Sequence, residues 1–317
     1  MIDEAARDQN DADRAVRFQK TSGGHDVLRP LWYKVVKPIF AALGLQPTSG
    51  RRRPRIWWCP TGLFTFLPIH AAGDHNRFGE SCFDYVVSSY TPTCAALLHA
   101  RKTFNPVRMT EAKVLLGAVP RPFEGPPLKG TVAELEQISG IIPSQQCISL
   151  PESDNPILHS HGGLTSQTVL SKLPEASILH LASHGVQDHK NPLESGFILR
   201  DAKLTIAQLM PLPLPRAFLA YLSACETAKG DQAQADQAIH LAATMLFAGF
   251  KSVVGTMWKM SDCDGPRVAS HLYGQLFASQ EYLDPDVVPY ALDEAVQAMR
   301  TEGVSSSRWA TFIHLGM

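Results

Sequence analysis

No uncharged apolar run in this 317-residue sequence reaches the roughly 18 residues of a membrane-spanning helix. The richest stretch, LAATMLFAGF, is a little over half that length and reads as a core helix. An excess of one charge is also missing. With 29 Lys and Arg against 30 Asp and Glu, a formal net charge of −1, no global field favours nucleic acid or an anionic membrane. Cysteine is sparse. Cys59, Cys82, Cys94, Cys147, Cys225 and Cys263 form no CxxC pair and no other metal-ligand spacing, and the N-terminus lacks the apolar core of a signal peptide. These absences predict reduced thiols and a cytoplasmic location. Neither a GxxxxGK phosphate loop nor a GxGxxG fingerprint sits between a strand and a helix, so no nucleotide is indicated. His159, His161, His180 and His184 carry no HExxH pattern and no Cys partner at ligand spacing, so neither metal nor cofactor is expected. The period of about 34 residues that marks tetratricopeptide repeats is absent too.

What is there is a globular composition, 44% hydrophobic and 19% charged, enough for one large core or two small ones. Residues 1–25 are polar and read as a tail or linker. VLRPLWYKVVKPIFAALGL has apolar residues at helical spacing, with Pro38 placed to kink it. The basic run RRRPR at 51–55 reads as a solvated loop rather than a nucleic-acid patch. IWWC, YVVSSY, KVLLGAVP and QCISL read as strands, with helices in TPTCAALLHARK, TVAELEQISG and SQTVLSKL. Thr131 and Glu134 have the spacing of a capping box. NPLESGFILRDAKLT reads as a hairpin, with Thr205 capping IAQLM. DQAIHLAATMLFAGF and SDCDGPRVASHLYGQLFAS read as helices, the second with Ser261 as N-cap. KSVVGTMW and RWATFIHLG are strands around them. Alternating strand and helix predicts an α/β protein whose mostly parallel sheet is covered on both faces.

Two apolar runs end in reactive side chains. SILHLASHG, 177–185, breaks at His184, and AFLAYLSACET breaks at Cys225. Ligands of open α/β sheets bind outside the carboxyl ends of the strands, so adjacent parallel strands ending this way would bring an imidazole beside a thiol. The interval between them exceeds the dozen or so residues that a crossover needs. Peptide hydrolysis by cysteine requires a thiolate to attack the carbonyl, an imidazole to protonate the leaving amine and N–H groups to hold the oxyanion. No third acid is evident. An α/β-hydrolase with a cysteine nucleophile is excluded, because LSACET lacks the glycines of the nucleophile elbow and His184 precedes Cys225. The polar segment ETAKGDQAQADQAIH is read as a flexible loop beyond the thiol.

HLASHG, LSACETA and GFKSVVGTMWKMSD, with LPIHAAG at 67–73 and SSYTPTCAALLHAR at 88–101, resemble the CHAT domain. This is a branch of the caspase-like cysteine peptidases that also includes separases and metacaspases. The resemblance implies a three-layer α/β/α sandwich over residues 26–317. Within it, about 26–150 would be a non-catalytic subdomain, and 151–317 would carry the site. It implies a cysteine endopeptidase with His184 and Cys225 as its dyad and the N–H groups of Gly185 and Cys225 as its oxyanion hole. Relatives that cut after basic residues carry an acid two positions before the nucleophile, where this chain has Ser223. Asp188, Glu194 and Asp262 are then the substitutes, with Ser183, Ser223, Glu226 and Trp258 also expected near substrate. The implied partners are a protein substrate and a regulatory helical-repeat or sensing module, in cis or in trans. The alternative from another class is a catalytically silent scaffold in a signalling or defence assembly.

Overall fold

The structure, a computed structural model, describes residues 25–48, 53–157, 162–186, 188, 191–223, 237–258, 260–278 and 281–317. The apolar N-terminal segment forms α1 (His25–Leu31) and α2 (Lys37–Ala42), joined by a π-helical stretch at Trp32–Val36. Pro38 sits just after that stretch, where its missing N–H and its ring disturb the α-helical ladder.

Strands β1 (Arg55–Trp58) and β2 (Val87–Tyr90) pair in parallel, and α3 (Cys94–Lys102) follows with its first turn capped by Thr93. Next come β3 (Val114–Ala118), α4 (Thr131–Ser139), α5 (Ser166–Lys172), β4 (Ile178–Ala182) and β5 (His184–Val186). The predicted hairpin is β6 (Gly196–Ile198) and β7 (Lys203–Thr205), and Thr205 does cap α6 (Ile206–Leu209). β8 (Leu219–Leu222), α7 (Gln237–Phe247), β9 (Ser252–Thr256), α8 (Asp264–Leu276), α9 (Val287–Thr301), α10 (Ser306–Trp309) and β10 (Phe312–Gly316) complete the chain.

The main sheet has seven strands in the order β1-β2-β10-β9-β8-β4-β3, and β5-β6-β7 form a separate antiparallel sheet. All neighbours in the main sheet are parallel except β9 and β10. It is therefore two parallel blocks running in opposite directions. Side chains alternate between its faces: Leu179, Leu181, Ala220 and Leu222 join one core with Val169, Leu241 and Trp32. Ile178, Ala182, Leu219 and Tyr221 join the other with Leu135, Leu272 and Leu292. Apolar burial on both faces gives the expected three-layer sandwich.

Four local readings are corrected. QCISL makes only an isolated bridge, Cys147 to Val114, because β3 leaves it the outermost strand position over a single rung. The capping box at Thr131 does not form: Gly130, at φ +89°, is the N-cap, so Thr131 is already helical and Glu134 turns inward. Ser261 does not cap α8, whose N-cap is Cys263 with no side-chain capping bond. Finally, His184 does not close the central strand: β4 stops at Ala182, and the chain turns at Ser183 so that His184 pairs with Ile198 in the small sheet. In the basic run, Arg53 binds Asp293 and the Phe83 carbonyl, while Arg55 binds Asp286 at 2.7 Å. Both cations are thus spent inside the fold.

Candidate active site

The strands that lead to the two reactive residues are adjacent and parallel. Ile178 stands opposite Leu219 and Leu181 opposite Leu222, and the Ser223 N–H donates to the Leu181 carbonyl at 3.0 Å. Their carboxyl ends therefore face the same edge of the sheet. His184 lies two residues beyond Ala182, and Cys225 two residues beyond Ser223. Cys225 and Glu226 lie outside the described residues, as do His159, His161 and most of the predicted loop after Cys225.

His184 is 3% exposed, and its Nε2 lies 2.8 Å from the backbone carbonyl oxygen of Pro126. A carbonyl oxygen can only accept, so Nε2 carries the hydrogen and Nδ1 carries the lone pair of the neutral ring. This fixes tautomer and ring orientation together. The carbonyl supplies the orienting group for which the sequence offers no acid. Gly125, at φ +100°, packs against the same ring: a Cβ there would lie 3.1 Å from Cδ2 and 3.3 Å from Nε2 of His184. Only glycine meets both the left-handed backbone and the close approach.

Beneath Ser223 lies a buried polar cluster. The Ser223 hydroxyl donates to Glu134 Oε2 at 2.7 Å, and Glu134 Oε1 stands 3.4 Å from His180 Nε2. That second contact is an electrostatic one, since neither atom has a hydrogen-bond partner among the described residues. His180 stacks on Tyr221 with ring centroids 4.7 Å apart and lies 3.3 Å from the Tyr273 hydroxyl. Burial, with the Glu134 charge adding to it, holds both tyrosine hydroxyls well above their usual pKa, so they stay neutral. Glu134 is 3% exposed. It places a carboxylate, across space, against the position where basic-specific relatives carry an acid in sequence.

The other predicted residues divide. Ser183 is fully buried at the turn between β4 and β5, so it lines no open surface. Gly185 is buried opposite Phe197. Asp188 accepts from the Asn191 N–H at 2.9 Å while its own N–H donates to Ser195, so it braces the turn after β5. Trp258, just past β9, is tied to the C-terminal segment: its indole N–H donates to the Ser307 carbonyl at 2.7 Å and its backbone N–H to Thr311. Asp262 is exposed beside Gly130, with its Cβ 3.7 Å from where a Gly130 Cβ would stand. Asp262 and Glu134 thus approach the same end of α4 from outside and inside.

Pro126 and Glu134 were missed by the reading of the sequence. The turn PRPFEGPPLKG carries no side-chain signature for a carbonyl that reaches a histidine. Glu134 did leave a signal, because it falls on the stripe of α4 formed by Thr131, Leu135 and Ile138, all buried. A carboxylate within an apolar helix stripe calls for a buried partner.

A seven-stranded, mostly parallel sheet between helical layers is the architecture of the caspase-like fold. The chain belongs to the CHAT domain family, which it matches over residues 25–317. Among solved structures it is similar to the Arg specific cysteine proteinase gingipain R (RgpB), at TM-score 0.56 and 10% identity, over 98% of this chain and 75% of that one. The complex of Porphyromonas gingivalis RgpB pro- and mature domains gives 0.54 at 9% identity, over 97% and 76%. Saccharomyces cerevisiae separase, solved with securin, gives 0.50 at 13% identity over 80% of this chain; the match spans only 15% of the separase chain. No curated protein sequence matches. Among the described residues no helix is long and apolar enough to cross a membrane.

Proposed function

We propose that this protein is a cysteine endopeptidase that hydrolyses peptide bonds in protein substrates through Cys225 and His184. The observation that carries the reading is the buried imidazole of His184, held by the Pro126 carbonyl with its Nε2 protonated, two residues beyond the end of β4, the strand adjacent to the one that leads to Cys225. In the reaction, His184 Nδ1 takes the Cys225 thiol proton and the thiolate attacks the scissile carbonyl carbon, forming the C–S bond, while the N–H groups of Gly185 and Cys225 hold the oxyanion. The C–N bond then breaks as the Nδ1 proton passes to the leaving amine, while Nε2 keeps its hydrogen on the Pro126 carbonyl, and water hydrolyses the thioester to free the acid and the thiol. A protein partner or sensing module would gate the enzyme.

For specificity, the carboxylates of Glu134 and Asp262 support a Lys or Arg before the scissile bond. Glu134 is the stronger of the two, since a buried charge is screened far less than an exposed one.

The experiment is mass-spectrometric mapping of new protein N-termini in a lysate treated with the protein or with Cys225→Ala. Termini that appear only with the intact cysteine, clustered after Lys or Arg, are the expected result. Identical lists from the two proteins would point to the scaffold reading, and alkylation decides it. A nucleophilic Cys225 should react ahead of the other thiols and lose that lead in His184→Ala. The contrast is favourable because burial pushes the Cys82 thiol up to about 12 and also raises Cys59 and Cys147.

A further inference from the structure

Two opposed parallel blocks give the main sheet two sets of carboxyl ends. The candidate active site occupies one set, at β4 and β8. The other, at Thr91 after β2 and Gly316 closing β10, opens onto a cavity of about 420 Å³ between α3, the last turn of α7 and the start of β9. Carboxyl ends are where open α/β sheets take their ligands, and this volume lies in the range of small-molecule sites.

Three observations say what would fill it. First, α3 has no buried residue over its nine positions, although helices in proteins draw most of their stability from a packed face. Its inner side, with Ala96, Leu97 and Ala100, meets the cavity instead of a core. Second, the opposite wall is apolar, with Leu246, Phe250 and a Phe247 that is 60% exposed. Third, Lys251 lines the cavity half-buried. Its ammonium donates to the neutral Thr103 hydroxyl at 3.0 Å, and among the described residues no carboxylate lies within ion-pair distance. No acidic residue lines the space, and His99 adds a second basic group.

We infer that this cavity is a binding site for a small amphipathic anion, an apolar body carrying one carboxylate or comparable acidic head. The body packs under α3, and the head pairs with Lys251. Such a ligand removes apolar surface from water and gives a partly desolvated cation its counter-ion. The cavity lies at the carboxyl ends of the other parallel block, and in the chain α7 joins it to the segment that carries Cys225. An effect on peptidase activity would follow from that connection and rests on the proposed function; binding does not.

Decanoate is the probe, compared with 1-decanol and decylammonium, by isothermal titration calorimetry on the full chain. Saturable binding of one decanoate, at least about tenfold tighter than decanol, with decylammonium weakest, is expected. Lys251→Met should bring decanoate down to the decanol value, and Ala96→Phe should abolish both by filling the cavity. A diazirine-bearing decanoate gives a reading independent of any variant: on irradiation its adducts should map to residues 91–103 or 246–251. Absence of saturable decanoate binding, equal binding of decylammonium, or adducts confined to other segments would each overturn the inference.

Discussion

The Pro126 carbonyl orients His184 as a carboxylate does in a catalytic triad, but without a full negative charge beside the ring. Orientation is then the main contribution, and Gly125 guards it. Gly125→Ala adds a Cβ against the ring at a left-handed φ, so it should cost about 1–2 kcal/mol of stability. It should also lower kcat by about tenfold or more with little change in KM, because the displaced imidazole misaligns proton transfer rather than substrate binding. Denaturant unfolding and steady-state kinetics test both; an unchanged kcat in a destabilised variant would remove Gly125 from catalysis. Glu134 admits a cleaner dissection. Glu134→Gln keeps an acceptor for the Ser223 hydroxyl and the side-chain shape while removing the carboxylate, its second oxygen becoming an NH2 donor. Peptides with Arg before the scissile bond should show KM raised about tenfold, with neutral-site peptides unaffected, whereas Asp262→Ala should change little because water screens an exposed carboxylate. Equal rates for Arg peptides in Glu134→Gln would end the basic-specificity reading.

At the scale of elements, the first turn of α8 is held by a partner from the far end of the chain. Its acidic residue Asp264 does favour the helix N-terminus, but it is 1% exposed and bound by Arg308, whose Nε lies 2.8 Å from Oδ2 and Nη2 2.5 Å from Oδ1. Arg308→Ala should therefore destabilise the fold by more than the loss of an ordinary surface pair, because it leaves the buried Asp264 carboxylate without its partner. Urea unfolding measures it, and a loss below about 0.5 kcal/mol would make the pair an ordinary surface one. That partner lies far away in the chain, which is why no local pattern announced it. The same division runs through the fold. β4, β8 and β9 were legible because strands buried on both faces leave continuous apolar runs. The break at Ser183, which moves His184 into a second sheet, depends on pairing with β6 and has no local sign. The strand that leads to His184 was legible; the carbonyl that holds the imidazole was not, because backbone groups carry no letter of their own.

For the whole molecule, the opposed blocks divide labour. The block of β1, β2 and β10 contributes no proposed catalytic side chain, yet β10 pairs along the whole of β9, next to the strand leading to Cys225. Two histidines are buried in this block. His70 is 6% exposed, with Nδ1 2.8 Å from the Tyr90 hydroxyl, and burial brings its pKa down to about 3. His314 on β10 lies 2.8 Å from the Ser89 hydroxyl, and burial, assisted by Arg55, holds it well below the usual range. A depressed histidine pKa means that the folded state binds fewer protons than the unfolded chain between the two values. Their stabilising contribution is therefore complete above about pH 6.5 and is lost as pH falls below it. At pH 5, His70 alone should account for about 2 kcal/mol of lost stability. Comparing urea unfolding of the wild type and His70→Gln at pH 7 and pH 5 isolates this, because other titrating groups cancel in the difference. The variant should lose about 2 kcal/mol less than the wild type over that interval; equal losses would show that His70 is not the acid-sensitive group. If peptidase activity below pH 6 then persists in the variant and fails in the wild type, acid inactivation begins in the block without proposed catalytic side chains and reaches the site through the β9–β10 pairing. If activity fails in both while the fold holds, protonation at the site itself is the cause.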